Sequence, residues 1–95
     1  MIIVVKGLED MEELYQMIEQ KIKASGYPGV IDGKEFYDEV NEEALLHENG
    51  TYIFMIKKTD TMFYEGRMVI MDSDFDLQVV DIHDNGKVYH VDFDA

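Results

Sequence analysis

Three aspartates at alternate positions carry the clearest chemical signal in the sequence. They lie in residues 71–76, which read MDSDFD. Aspartates spaced in this way within a turn can direct several carboxylate oxygens to one point, and calcium takes roughly six to eight oxygen ligands at about 2.3–2.6 Å. Magnesium requires a stricter octahedron and retains its waters, so calcium is the favoured ion. The segment therefore predicts metal ligands at Asp72, Asp74 and Asp76.

The segment departs from the EF-hand pattern. An EF-hand loop has glycine at its sixth position and a bidentate glutamate at its twelfth, where this sequence has Leu77 and His83. A calcium site here would need ligands from other elements, and we expect Asp92 and Asp94 to supply them, with Glu48 as a further neighbour. Acidic turns also form without an ion, because aspartate side chains accept backbone hydrogen bonds within turns. That alternative stays open at this stage.

The hydrophobic periodicity predicts one α+β domain over residues 1–95, in the order β-α-α-β-β-β-β. We expect two helices packed on an antiparallel sheet of about five strands. The first helix runs from Met11 to a glycine stop at Gly26, with Asp10 as its cap, and the second runs from an Asp32-x-x-Glu35 box to about residue 47. The predicted strands are 2–6, 51–57, 62–71, 75–83 and 87–93.

The dipeptide Asn85-Gly86 predicts a type I′ hairpin and fixes the register of the last two strands. In that register one sheet face covers the helices and the other faces outward. The inner residues are Val80, Ile82, Tyr89, Val91 and Phe93, and the outer residues are Asp81, His83, His90 and Asp92. The outer imidazoles and carboxylates could ligate zinc, but their spacing matches no compact metal motif, and cross-strand Asp–His pairing is the favoured interpretation. Gly66 is expected to mark a β-bulge.

An up-and-down meander sorts its turns between two ends of the sheet. One end should collect an acidic group: Glu48, Asn49, Asp72, Ser73, Asp74, Asp76, Asp92 and Asp94. We call this the acidic end. Two unit charges about 4 Å apart in water repel by roughly 1 kcal/mol, and by more on a partly enclosed surface. The crowding favours a bound cation.

The overall charge restricts the classes of partner. Lys and Arg number 8 against 21 Asp and Glu, giving a formal net charge of −13. Nucleic acid and anionic membranes are therefore disfavoured, whereas a divalent cation or a basic protein is favoured. The alternative to calcium binding is an acidic protein–protein interaction module without a specific metal site. It would bind a basic partner through the acidic end or through the acidic face of the second helix, formed by Glu35, Asp38, Glu39, Glu42 and Glu43.

Further expectations concern activity, location and assembly. The sequence has no cysteine and no combination of nucleophile, base and glycine-rich loop, so an enzyme is not expected. The absence of an apolar run long enough to cross a bilayer predicts a cytoplasmic protein. Residues 52–56 are apolar on both faces of their strand. Burial of both faces by the domain's own helices and loops is favoured, and a homodimer is the alternative to a monomer.

The chain resembles a small family of acidic α+β proteins from methanogens. The shared features are a short first strand, an acidic helix, a second acidic segment and an antiparallel sheet with the segment Asp72-x-Asp74-x-Asp76. The resemblance covers most of the chain and lies in layout and charge. It implies calcium binding outside the EF-hand type and residence inside an archaeal cell, and it offers no catalytic residues. A potassium-rich cytoplasm would also favour an acidic surface, in which case the charge would serve solubility alone.

Overall fold

The computed structural model describes residues 1–3, 11–72 and 74–94. Its elements are β1 (Ile2–Ile3), α1 (Met11–Ala24), α2 (Gly33–Leu45), β2 (Gly50–Lys57), β3 (Met62–Met71), β4 (Asp74–Asp84) and β5 (Lys87–Asp92). The predicted α+β class and element order are confirmed. The first strand is described over its first two residues, and the predicted cap Asp10 lies outside the described residues.

All strand pairs in the sheet are antiparallel. β3 lies between β2 and β4, while the other edge of β4 pairs with β1 at its start and with β5 along the rest. The hairpin register is confirmed, with Val80 opposite Val91, Asp81 opposite His90 and Ile82 opposite Tyr89. Asn85 and Gly86 have φ of 54° and 84°, the positive values that a type I′ turn requires.

Both helices cover one face of this sheet. α1 buries Ile18 and Ile22, and α2 buries the stripe Phe36, Tyr37, Val40 and Ala44. Against them the sheet presents fully or almost fully buried side chains: Tyr64, Met68, Phe75, Leu77, Val80, Ile82 and Val91. The predicted inner face of the last hairpin therefore lies in the core.

The start of α2 differs from the predicted capping box. Asp32 occupies the N-cap position with extended backbone, but its side chain makes no capping hydrogen bond. Instead the Gly33 N–H donates to Glu19 Oε2 of α1 at 2.8 Å. A Cβ at Gly33 would lie 2.3 Å from the Tyr15 carbonyl oxygen, so the two helices approach too closely here for any other residue. Helix packing, rather than local capping, satisfies this terminus.

The prediction of a bulge at Gly66 is wrong, because the register shift lies one position later in β3 and the extra residue belongs to β4. Gly66 pairs regularly with Phe54 and Val80, and the register shifts next to it, where Arg67 pairs with Val79 and Met68 pairs with Leu77. Gln78 is thus the extra residue, and it lies in β4. Gly66 is required for a different reason: a Cβ there would lie 2.5 Å from the Phe54 ring.

The sheet face away from the helices is partly apolar and open. Ile53 and Met55 of β2 are 77% and 57% exposed. The prediction that the domain's own helices and loops bury both faces of this strand is therefore wrong, because both helices pack on the opposite face. Within the described residues, no helix is long and apolar enough to span a membrane.

Candidate metal centre at the acidic end

The β3–β4 turn is held in place by the side chain of Asn49. The Asp72 N–H donates to Asn49 Oδ1 at 2.7 Å, and Asn49 Nδ2 donates to Asp72 Oδ1 at 3.3 Å. Asp72 has φ of 56°, a left-handed conformation that aspartate adopts more readily than most residues. The residue between Asp72 and Asp74 lies outside the described residues. The two bonds tie the acidic turn to the chain just before β2.

A hollow of about 220 Å³ opens between this turn and the C-terminal part of α2. Its lining combines apolar and polar residues. They are Asn41, Ala44, Leu45, His47, Ile70, Asp72, Asp74 and Phe75. The hollow therefore brings Asp72 and Asp74, two of the five predicted ligands, to one concavity and adds an amide from α2.

Two residues that line this hollow each have a buried side-chain oxygen without a hydrogen-bond partner among the described residues. These oxygens are Asp74 Oδ1 and Asn41 Oδ1. A buried polar atom that gives up water without gaining a partner costs about 1–3 kcal/mol, and more when the group is charged. Such atoms in native proteins are usually explained by an ion, a water molecule or a functional role. Both atoms are hydrogen-bond acceptors, so each is satisfied by a donor or a cation.

Asp76 and Asp94 are brought together at a separate point. The ammonium of Met1 donates to Asp76 Oδ1 at 3.0 Å, to Asp94 Oδ1 at 2.5 Å and to the Leu77 carbonyl oxygen at 2.8 Å. The hydrogen bond from this ammonium lowers the pKa of Asp94 below its usual value. These two carboxylates thus already share a cationic partner.

The fifth predicted ligand, Asp92, is linked to the backbone of Asp94 and does not line the hollow that Asp72 and Asp74 share. Its Oδ1 accepts the Asp94 N–H at 3.0 Å. Asp92 also lines a different hollow, together with Lys21, Ser25 and His90. The five predicted ligand carboxylates therefore divide among three positions.

The acidic face of α2 is partly neutralised by lysines. Lys58 Nζ lies 2.9 Å from Glu35 Oε1 and 2.6 Å from Glu39 Oε1. Desolvation lowers the pKa of Lys58, but the hydrogen bonds to these glutamates outweigh it and the net pKa is raised. Lys34 pairs with Asp38 at 2.9 Å. A basic partner would have to compete with these pairs, so this face is a weaker docking surface than its charge count suggests.

A group of three potential ligands with mutually close atoms lies elsewhere in the described part of the chain. Glu65, Asp81 and His83 each offer one ligand atom within 4.8 Å of the others. Asp81 and His83 were candidates from the sequence, but Glu65 was not, because the alignment of β3 with β4 depends on the β3–β4 turn and on the Gln78 bulge. Asn41 was not a candidate either, because the sequence marks it only as a polar residue beside the apolar stripe of α2.

No protein-family model matches the chain, and no curated protein or solved structure is significantly similar to it. The resemblance to acidic methanogen proteins therefore stays a prediction.

Proposed function

We propose that this protein binds calcium at the acidic end, in the hollow between α2 and the β3–β4 turn. The carboxylates of Asp72 and Asp74 and the amide oxygen of Asn41 would be its ligands. The observation that carries the proposal is that Asp74 and Asn41, which both line that hollow, each have a buried oxygen, Oδ1, without a hydrogen-bond partner among the described residues. A cation would satisfy both atoms and offset the cost of their desolvation.

The ligand types favour calcium over other ions. Carboxylate and amide oxygens are hard donors, and calcium tolerates an irregular set of them completed by water. Magnesium is less suited, because it requires near-ideal octahedral geometry at shorter distances. The bonds between Asn49 and Asp72 support the proposal further, since they fix the turn before any ion binds. Preorganisation of this kind reduces the ordering cost of binding.

The remaining acidic residues would contribute through their field. Asp76 and Asp94 each hold the Met1 ammonium through one oxygen, which offsets part of their negative charge. Asp92 is tied to the backbone of Asp94. These three carboxylates would raise the local calcium concentration rather than bind the ion. Their effect should weaken as salt shortens the Debye length, which is about 8 Å at physiological ionic strength.

Thermal unfolding with and without calcium tests the proposal. A ligand specific to the folded state stabilises it by RT ln(1 + [L]/Kd), which is about 2.7 kcal/mol when calcium exceeds Kd a hundredfold. The double variant Asp72→Asn, Asp74→Asn should lose that rise in melting temperature. Asp60→Asn is the control for loss of a carboxylate charge away from the site, since Asp60 is 98% exposed and lies 3.5 Å from Lys57 Nζ. The control removes one carboxylate charge from the opposite end and should retain the rise.

Two outcomes would contradict the proposal. An undiminished calcium-dependent rise in the double variant would remove the site from this turn. Potassium chloride could also abolish the calcium-dependent rise in melting temperature equally in the wild type and the control. That result would indicate diffuse screening of the net charge of −13. The second outcome would favour the acidic interaction module as the function.

A further inference from the structure

The outer face of the sheet brings together three side chains of the types that bind metals, on the two strands that flank the β3–β4 turn. Glu65 of β3 is directly opposite Asp81 of β4, and His83 follows Asp81 by two residues on the same face. The Gln78 bulge is what turns this part of β4 outward. Phe75 and Leu77 before the bulge are buried, and Val80 and Ile82 after it are also buried, so the alternation changes phase between them.

The imidazole of His83 is held in a defined orientation. Its ring stacks on the Phe63 ring with centroids 4.1 Å apart and an interplanar angle of 8°. His83 Nε2 is buried and has no hydrogen-bond partner among the described residues. It lies 3.6 Å from Glu65 Oε1, which is too long for a hydrogen bond but suitable for two ligands of one ion. His83 Nε2 is therefore a potential metal ligand with a fixed position and no hydrogen-bond partner among the described residues.

The carboxylate of Asp81 is oriented by His90, and its second oxygen stays available to a metal ion. Its Oδ1 accepts a hydrogen bond from His90 Nδ1 at 2.6 Å, across the β4–β5 ladder. Carboxylates that bind metals are commonly held by such outer hydrogen bonds. Glu65 and Asp81 are also like charges placed directly opposite each other, an arrangement that destabilises a sheet unless a cation lies between them.

We propose that Glu65, Asp81 and His83 form a binding site for a divalent transition metal ion of the zinc type. One imidazole nitrogen and two carboxylate oxygens suit Zn²⁺, whereas calcium prefers oxygen ligands alone. Three protein ligands leave at least one coordination position for water, as in zinc sites that are open to solvent. Glu65 and Asp81 also line a groove of about 310 Å³ over Gly66, Arg67 and Val79, so the ion would border it.

The experiment is a Zn²⁺ titration of the full chain at neutral pH, observed through the ¹⁵N resonances of the histidine rings and by calorimetry. We expect the Nε2 resonance of His83 to move first and furthest. His83→Gln and Glu65→Gln should each weaken Zn²⁺ binding at least about tenfold, because even outer-sphere changes cost that much at metal sites. His90→Gln should weaken binding less than either, since His90 positions Asp81.

His47→Gln is the matched control, because His47 is also a stacked imidazole, with its ring centroid 4.1 Å from that of Tyr52. It should leave Zn²⁺ binding unchanged. Loss of binding in His47→Gln but not in His83→Gln would move the ion to the hollow at the acidic end and overturn the proposal. So would an unmoved His83 ring at millimolar Zn²⁺. The double variant Asp72→Asn, Asp74→Asn should still bind Zn²⁺, which separates this site from the proposed calcium site.

Discussion

Deletion of Gln78 should prevent the protein from folding to its native state. The bulge at this residue lets β4 bury Leu77, which precedes it, and also Val80 and Ile82, which follow it, in the same core. Without the extra residue, one part of the strand must reverse its faces, because side chains alternate with a period of two. If the later part reversed, Val80 and Ile82 would face water and Asp81 would enter the core.

The cost follows from these burials. Val80 and Ile82 are both 0% exposed, and full burial of such side chains stabilises by about 1.5–3 kcal/mol each. Reversal therefore loses roughly 3–6 kcal/mol, and burying an unpaired carboxylate adds several more. The whole stability of a 95-residue domain is about 5–14 kcal/mol. Reversal of the earlier part is no better, since Phe75 and Leu77 are 2% and 0% exposed.

The assay is urea unfolding together with the dispersion of the amide spectrum. We expect the deletion variant to lack a cooperative transition and to show collapsed amide dispersion. Gln78→Ala is the control, because it keeps the residue count and removes the hydrogen bond from Arg67 Nε to Gln78 Oε1 at 2.6 Å. That bond is exposed, so its loss should cost about 0.5–1 kcal/mol. A deletion variant as stable as Gln78→Ala would refute the assignment of the bulge.

Two further predictions concern the core and its edge. Gly66→Ala should destabilise the fold by about 1–3 kcal/mol, because its Cβ would overlap the Phe54 ring; an unchanged urea midpoint would contradict this packing. The hydrogen bond from Tyr27 to Asp84, at 2.6 Å, together with burial raises the pKa of Tyr27 from 10.0 to about 12. The stabilisation that this hydrogen bond gives to the folded state should therefore be complete below about pH 10 and lost as pH rises to about 12. Tyr27→Phe should be less stable by about 1–2 kcal/mol at neutral pH and should lose that difference in the alkaline range, as measured by urea unfolding across pH; parallel pH profiles for the two proteins would count against it.

Local signals in the sequence predicted most of the fold. Hydrophobic periods of 3.6 and two identified both helices and the strands of the meander, and Asn85-Gly86 fixed the last register because only certain residues adopt positive φ. These features depend on near neighbours in the chain, which is why a single sequence contains them.

Contacts between distant segments escaped prediction. Three such contacts join separate elements. They are the pairing of Asp76 and Asp94 with the Met1 ammonium, the approach of Asn41 to the acidic turn, and the placement of Glu65 beside Asp81. A single bulge residue determines the outer face of β4, and Gln78 has no composition signal that marks it. The sequence therefore identifies candidate ligands by residue type and spacing, but not their individual partners.

An amide chemical-shift titration with calcium, repeated with magnesium, tests the central claim most directly. Binding in the hollow predicts saturable calcium shifts confined to Asn41, Asn49 and residues 71–76, with smaller shifts for magnesium. Small, unsaturated shifts spread over all acidic residues, equal for the two ions, would contradict a specific site and reduce the acidic end to a region of counterion screening.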